Sequence, residues 1–311
     1  MFEELMENFY RIQVPLPQNP LKSVNCYLIK DDPPVLIDTG MNREECFETI
    51  KTAIESFGKP LVVATHLHAD HLGLAGRIAD TVYMSEEEVK YLEKLKNLEF
   101  WIKTIKFYIA SGFPAELARL VSSVHPGIKF FAQPKEFRCV DSINAGGYEF
   151  EVIITPGHTP GHLCLYERSE RVLISGDHVL FDVTPNIGWW PHFEDPLGAY
   201  IESLKKTRSL DARIVYPGHR KESKRLKERI DELIEHHKKR LEEVLSALND
   251  KKTAWEVAQK VSWDIKFESW SKLPLMQKWF AVSETIAHLE HLVTIGEAER
   301  VEGESVYYKL R

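Results

Sequence analysis

The sequence predicts an α+β protein in two parts, an N-terminal domain over 1–223 and a mostly helical domain over 224–311. Three observations lead there. Short β-branched runs alternate with amphipathic segments through the first part, the mark of strands exchanging with helices. An aromatic-rich stretch at about 85–123 interrupts that alternation at helical spacing. After Gly218-His219-Arg220 the strand-like runs stop and helical spacing takes over.

Residues 9–40 read as strands, with Asp31-Asp32-Pro33-Pro34 as the turn before Val35-Leu36-Ile37. A helix is expected at about 43–57, then a buried strand, Leu61-Val62-Val63-Ala64-Thr65. His66-Leu67-His68-Ala69-Asp70-His71 follows at once and puts four metal-binding side chains in six residues. In extended chain, side chains two apart project the same way, so His66 and His68 can converge on one ion. A turn after His68 would send Asp70 and His71 towards a second. A helix near 73–80 and a strand at 81–84 come next.

In the interrupting stretch Val89, Leu92, Leu95, Leu98, Ile102, Ile105 and Ile109 recur at helical spacing. Gly112-Phe113-Pro114 breaks that helix, and a second runs through Ala115–Val124. Phe100, Trp101, Phe107 and Tyr108 widen the stripe beyond one core contact, so the pair reads as a hairpin over the sheet or a lid over a pocket. Trp189-Trp190-Pro191-His192-Phe193 reads as a second candidate pocket wall or as local core.

Three later segments share one design, an apolar strand that ends in a Gly flanking a His or Asp. They close on Pro156-Gly157-His158, Ser175-Gly176-Asp177 and Pro217-Gly218-His219. Strand ends hold ligands accurately, and glycine lets the backbone approach closely. With the first cluster they supply seven candidate metal ligands: His66, His68, Asp70, His71, His158, Asp177 and His219. Two ions of four or five coordination, with open positions, need about that many. His162 and His178 beside them read as supporting or packing residues.

This ordered set resembles the metallo-β-lactamase-fold hydrolases, and Asp38 in Leu36-Ile37-Asp38-Thr39-Gly40 matches that superfamily's early Asp motif. The likeness runs over about 10–220 and implies an αββα sandwich, here with a helical insertion. It implies that His66, His68 and His158 hold one divalent ion, and that Asp70, His71 and His219 hold another. Asp177 would bridge them, and Asp38 would support the ligand loop by hydrogen bonds. Zinc suits such donors, and iron or manganese can occupy them. His68, where a flavodiiron protein has Glu, favours hydrolysis over redox chemistry. A metal-bound hydroxide would then be the nucleophile, with Asp70 as the catalytic proton acceptor.

Composition narrows the partners. A net charge of −7 offers no general attraction to nucleic acid or acidic membranes. No apolar run approaches the roughly eighteen residues of a membrane span. The N-terminus, Met1-Phe2-Glu3-Glu4-Leu5-Met6-Glu7, lacks the basic start and apolar core of a secretory signal. Cys26, Cys46, Cys139 and Cys164 form no Cys-x-x-Cys pair and read as small buried residues in a reducing, cytoplasmic compartment.

In the second domain a charged helix is expected at about 222–248, its His236-His237 on a solvated face. Thr253-Ala254-Trp255-Glu256 has the form of a capping box. A third helix at 281–295 and a strand–turn–strand at 296–308 complete a set that resembles a winged helix. Ser283, Glu284, Thr285, His288, Glu290 and His291 would form its exposed face, and an uncharged-to-acidic face counts against DNA. Packing beside the catalytic domain or a homodimer contact is the expected role. The layout resembles the lactamase-beta-2-like subgroup, some of whose members cleave single-stranded RNA. A small carbonyl ester, a thioester or lactone, is the expected substrate, and a phosphodiester of single-stranded RNA is the alternative.

Overall fold

In a computed structural model, residues 2–17, 19–124, 131–263 and 268–311 are described. They group into two compact units that do not follow one cut in the chain. The first comprises Met1–Lys96, Pro126–Pro185 and Ser203–Ile230; the second comprises Asn97–His125, Asn186–Glu202 and Asp231–Arg311.

The first unit holds two sheets. Strands β1 (Phe2–Met6), β2 (Phe9–Pro15), β3 (Ser23–Ile29), β4 (Val35–Ile37), β5 (Leu61–Val63), β6 (Thr81–Met84) and β7 (Glu136–Cys139) lie side by side in chain order. β1 to β4 pair antiparallel, and β4 to β7 pair parallel. Sequence reading missed β1 and β7, which are short edge-side strands with much exposed surface.

The second sheet runs β12 (Ile214–Pro217), β11 (Val172–Gly176), β10 (Leu163–Glu167), β9 (Tyr148–Ile154), β8 (Ser142–Ala145). Every residue of β10 and β11 is buried, as in strands covered on both faces. Phe9, Tyr27 and Ile37 of the first sheet share one core with Phe150, Leu165 and Tyr216 of the second. The two sheets therefore pack face to face. Their inner side chains interdigitate, which makes register expensive to slip.

Helices α1 (Glu44–Ile54), α2 (Ala69–Leu72), α3 (Ala75–Ile78) and α4 (Glu86–Leu95) also belong to this unit. α1 buries Cys46 and Ile50 and leaves its acidic first turn, Glu44 and Glu45, to solvent. Cys26, Cys46 and Cys164 are buried as expected, but Cys139 is exposed, because it ends the edge strand β7.

The expected single helix through 85–111 is two. Asn97 starts α5 (Leu98–Ala110) by accepting the Glu99 amide, so the stripe breaks one turn before Phe100. α5 and α6 (Ala115–Val124) fall in the second unit. α7 (Pro196–Arg208) and α8 (Leu226–Ala247) are each divided by the grouping.

The second unit also has α9 (Ala254–Ala258), α10 (Leu275–Thr294) and the hairpin β13 (Ala298–Val301)–β14 (Tyr307–Leu310). The capping box forms: Thr253 accepts the Glu256 amide while the Glu256 carboxylate accepts the Thr253 amide. Tyr108 and Trp279 stack at 3.6 Å inside one apolar core, and the partly buried Trp189 and Phe107 stack at 4.2 Å against it.

Two expectations fail here. Ser283, Glu284, Thr285, His288 and Glu290 are buried rather than exposed on α10. Glu284 accepts from Asn186 at 2.7 Å and faces Arg240 at 3.3 Å, while Tyr308 and Arg300 both donate to Glu290. His237 is likewise fully buried, with Nδ1 3.2 Å from His288 Nε2. Polar side chains with internal partners can be buried, and polarity alone does not separate them from a solvated face. Among the described residues no helix is long and apolar enough to cross a membrane.

Candidate metal centre

Five of the seven ligand candidates lie in loops that follow strands, and Asp70 and His71 lie on α2, which continues the first of those loops. β5 leads into His66–His71, β9 into His158, β11 into Asp177 and β12 into His219. α2 starts at Ala69, directly after His68. That change from extended chain to helix separates His66 and His68 from Asp70 and His71, as the spacing predicts.

Two groups result. His68 Nδ1 lies 3.0 Å from His66 Nε2 and 3.0 Å from His158 Nε2. Beside them, His219 Nε2 lies 3.4 Å from His71 Nε2 and 3.4 Å from Asp70 Oδ2. In each group, and in the set His66, His71 and Asp177, the donor atoms all fall within 4.8 Å of one another. Asp177 touches both: Oδ2 is 3.4 Å from His219 Nε2 and 3.7 Å from His158 Nε2, and Oδ1 is 3.5 Å from His71 Nε2.

The outer nitrogens are fixed by hydrogen bonds, and these decide which nitrogen carries the lone pair. His219 Nδ1 donates to the Ser23 carbonyl at 2.8 Å, leaving Nε2 free to ligate. His71 Nδ1 donates to Asp38 Oδ2 at 2.7 Å, with the same result. Asp38 also accepts the Thr65 hydroxyl at 2.9 Å and the Thr65 amide at 2.8 Å. With its proton spent on Asp38, Thr65 Oγ1 can only accept from His66 Nδ1, 3.0 Å away. One buried carboxylate therefore orients two histidines, His71 directly and His66 through Thr65.

Electrostatics separates the groups. Burial pulls His66 well below the ordinary histidine range and His68 down to about 3, so both are neutral. For His71 and His219 burial acts the same way, but Asp177 and its neighbouring carboxylates outweigh it. They raise His71 well above the ordinary value and His219 to about 10. Burial would raise Asp70 and Asp177; the histidines overcome it and hold both carboxylates low. Among the described residues Asp177 Oδ1 is buried with no hydrogen-bond donor. Neutral His66 and His68 offer lone pairs, and a divalent cation would take the place of the protons that His71 and His219 hold beside the carboxylates, so such a cation completes this donor set. The residues fit such a group.

Access is one-sided. His66, His71 and His219 are fully buried, whereas His68 and Asp70 are half-buried, so the site opens past those two. Gly218 is required by close approach: a Cβ there would sit 2.5 Å from Asp177 Oδ1 and 2.8 Å from His71 Cε1. His162 Nε2 accepts the Asp177 amide at 3.1 Å, and His178 Nε2 is 3.0 Å from Thr207 Oγ1. Both are supporting residues, as their positions outside the ligand pattern suggest.

Several supporting residues have no signal in the sequence. Asn25 Nδ2 donates to the Pro217 and Arg220 carbonyls, and the Tyr27 hydroxyl donates to Pro217, so β3 pins the His219 loop. That pairing depends on sheet register, which a single sequence does not show. Glu88 was also passed over, because Ser85-Glu86-Glu87-Glu88 reads as an ordinary helix start.

A two-sheet sandwich whose strand ends assemble five histidines and two aspartates defines a metallohydrolase-type centre. The family model of the metallo-beta-lactamase superfamily matches residues 19–219, and the chain belongs to that superfamily and is a hydrolase of it. The model of the metallo-beta-lactamase-like C-terminal domain matches residues 241–311. The beta-lactamase-like protein 2 homolog of Caenorhabditis elegans is 27% identical over 89% of this chain and 85% of its own. The atrochrysone carboxyl ACP thioesterase of Aspergillus fumigatus is 26% identical over 75% of this chain and 62% of its own. The crystal structure of a metallo-beta-lactamase family protein from Thermus thermophilus aligns at a TM-score of 0.82 and 29% identity, over 99% of this chain and 100% of that one.

Proposed function

We propose that this chain is a dinuclear metal-dependent hydrolase of a small carbonyl ester, a thioester or a lactone. The observation that carries it is the pair of donor groups joined through Asp177 and open to solvent only past His68 and Asp70. His66, His68 and His158 would hold one divalent ion, and Asp70, His71 and His219 the other, zinc suiting the nitrogen-rich set. When bound, such ions supply Lewis acidity and lower the pKa of water towards about 7.

The chain's own residues do the rest. Asp38 and the Ser23 carbonyl hold the histidines in ligating tautomers. Asp70, whose side chain is 16% exposed, is the ligand carboxylate that solvent reaches most readily. It accepts the proton of the attacking water and returns it to the leaving thiol or alcohol as the acyl bond breaks. The thioesterase relative supports an acyl substrate, and the net charge of −7 favours a small molecule over a polyanion. A phosphodiester of single-stranded RNA is the second reading, resting on the resemblance to the lactamase-beta-2-like subgroup and on the match to the C-terminal domain model.

One panel separates them. Metal-loaded protein and an Asp70→Ala variant are assayed on acyl thioesters, lactones, bis-p-nitrophenyl phosphate and single-stranded RNA. The expected result is thioester or lactone turnover that falls at least about 100-fold in the variant, the scale of a lost general acid–base group. RNA cleavage that the variant loses, with no ester turnover, would replace the first reading by the second.

A further inference from the structure

Glu88 is a fully buried carboxylate on the first turn of α4, and none of its contacts is with a cation. Oε2 accepts the Leu67 amide at 2.8 Å; Oε1 accepts the Thr159 hydroxyl at 2.5 Å and the Gly161 amide at 2.7 Å. Leu67 lies between His66 and His68, and Thr159 follows His158. The three donors therefore belong to the two segments that carry the three-histidine group, the first of which runs on into Asp70 and His71.

The helix start has been turned outward to do this. Ser85 caps α4 by accepting the Glu88 amide at 3.2 Å, which is half of a capping box. In the full box the Glu side chain would return to the Ser85 amide, as Glu256 does to Thr253. Here it leaves the helix for the ligand loops, and Ser85 Oγ donates to the Gly161 carbonyl at 2.5 Å. Gly161 sits so close that a Cβ would lie 2.5 Å from Glu88 N and 2.5 Å from Ser85 Oγ. Two oxygens of one side chain thus set the distance between a loop from the first sheet and a loop from the second.

We propose that Glu88 is a positioning residue for the three-histidine group, fixing the separation at which His66, His68 and His158 share one ion. The inference rests on the reading of this cluster as a metal centre and adds a residue that no ligand pattern contains. Glu88 touches neither Asp70, His71 nor His219, so its effect falls first on the three-histidine group. Glutamine keeps the volume but presents an amide NH2 to donors, so at least one of the three bonds is lost.

The test is a Co2+ titration of metal-free protein against a competing chelator, followed by the visible absorption of the bound ion. Wild type, Glu88→Gln and Thr159→Val are compared, with His68→Ala marking which step belongs to the three-histidine group. Glu88→Gln is expected to weaken that step about 10- to 100-fold and the other by clearly less, the usual effect of losing a ligand-orienting partner. Thr159→Val, which removes one donor and keeps the shape, is expected to weaken the same step by less. Equal weakening of both steps, or none in a folded Glu88→Gln or Thr159→Val, would overturn the proposal. If Glu88→Gln does not fold, Thr159→Val alone decides. Absence of any Co2+ binding by wild type would instead remove the metal-centre reading, and this inference with it.

Discussion

Asp38 shows how much one residue carries. It adopts a left-handed backbone (φ 60°), which Asp and Asn tolerate better than most residues, and both carboxylate oxygens face the ligand loop. Asp38→Asn therefore tests charge and acceptor count without a new backbone penalty. It is expected to fold, to keep the Thr65 contact, and to lose about 10- to 100-fold in metal affinity, measured by chelator competition. Gly218→Ala tests space at the same scale. Its methyl group would displace Asp177 or His71, so ion binding should fall while the sandwich core, read by far-UV circular dichroism, persists. The candidate ligands were legible because clustered His and Asp side chains just past strands are what a metal centre needs. Ser23, Asn25 and Glu88 were not, because their roles come from contacts that register and helix placement create.

At the scale of the element, α10 separates what periodicity reveals from what it hides. The apolar spacing of Val282, Ile286, Leu289 and Leu292 located the helix, though it begins six residues earlier, at Leu275. Its polar side was misread as solvated, because Glu284 and Glu290 are satisfied by Asn186, Arg240, Arg300 and Tyr308 from distant parts of the chain. Arg240→Met is a fair probe: removing one partner of a buried pair should destabilise by roughly 3 kcal/mol, less if Asn186 holds Glu284 alone, by chemical denaturation.

Acid sensitivity is expected of the same helix. Burial first, then Arg240, His236 and His291, hold His288 down at about 3, and burial with His288 depresses His237. Glu284 meets His288 through its backbone carbonyl. A histidine kept neutral in the fold gains its proton on unfolding, so its stabilisation is full above about pH 6.5 and declines as pH falls towards 3. Tm should drop across that window, and His288→Gln should flatten the slope.

For the molecule as a whole, strand alternation and ligand order made the superfamily fold legible, while the parallel pairing of the strands that precede Asp38, His66, Asp177 and His219 was not. The grouping of 97–125 and 186–202 with the C-terminal segment was not, since chain neighbours do not announce which distant residues they join. Trp189 and Phe107 illustrate this: distant in sequence, they stack on each other against the second unit's core. The acidic balance, −7 over the chain, sets the expectation that activity will not depend steeply on salt, as it would for a protein that neutralises many phosphates.

The central claim is that five histidines and two aspartates hold two divalent ions. Elemental analysis of the purified chain, stripped with chelator, reloaded with zinc and freed of excess, measures it directly. Two ions per chain in the wild type and one in His68→Ala, with hydrolysis lost on stripping and regained on reloading, is the expected result. Fewer than two ions per reloaded wild-type chain, or turnover undiminished after complete stripping, would contradict it.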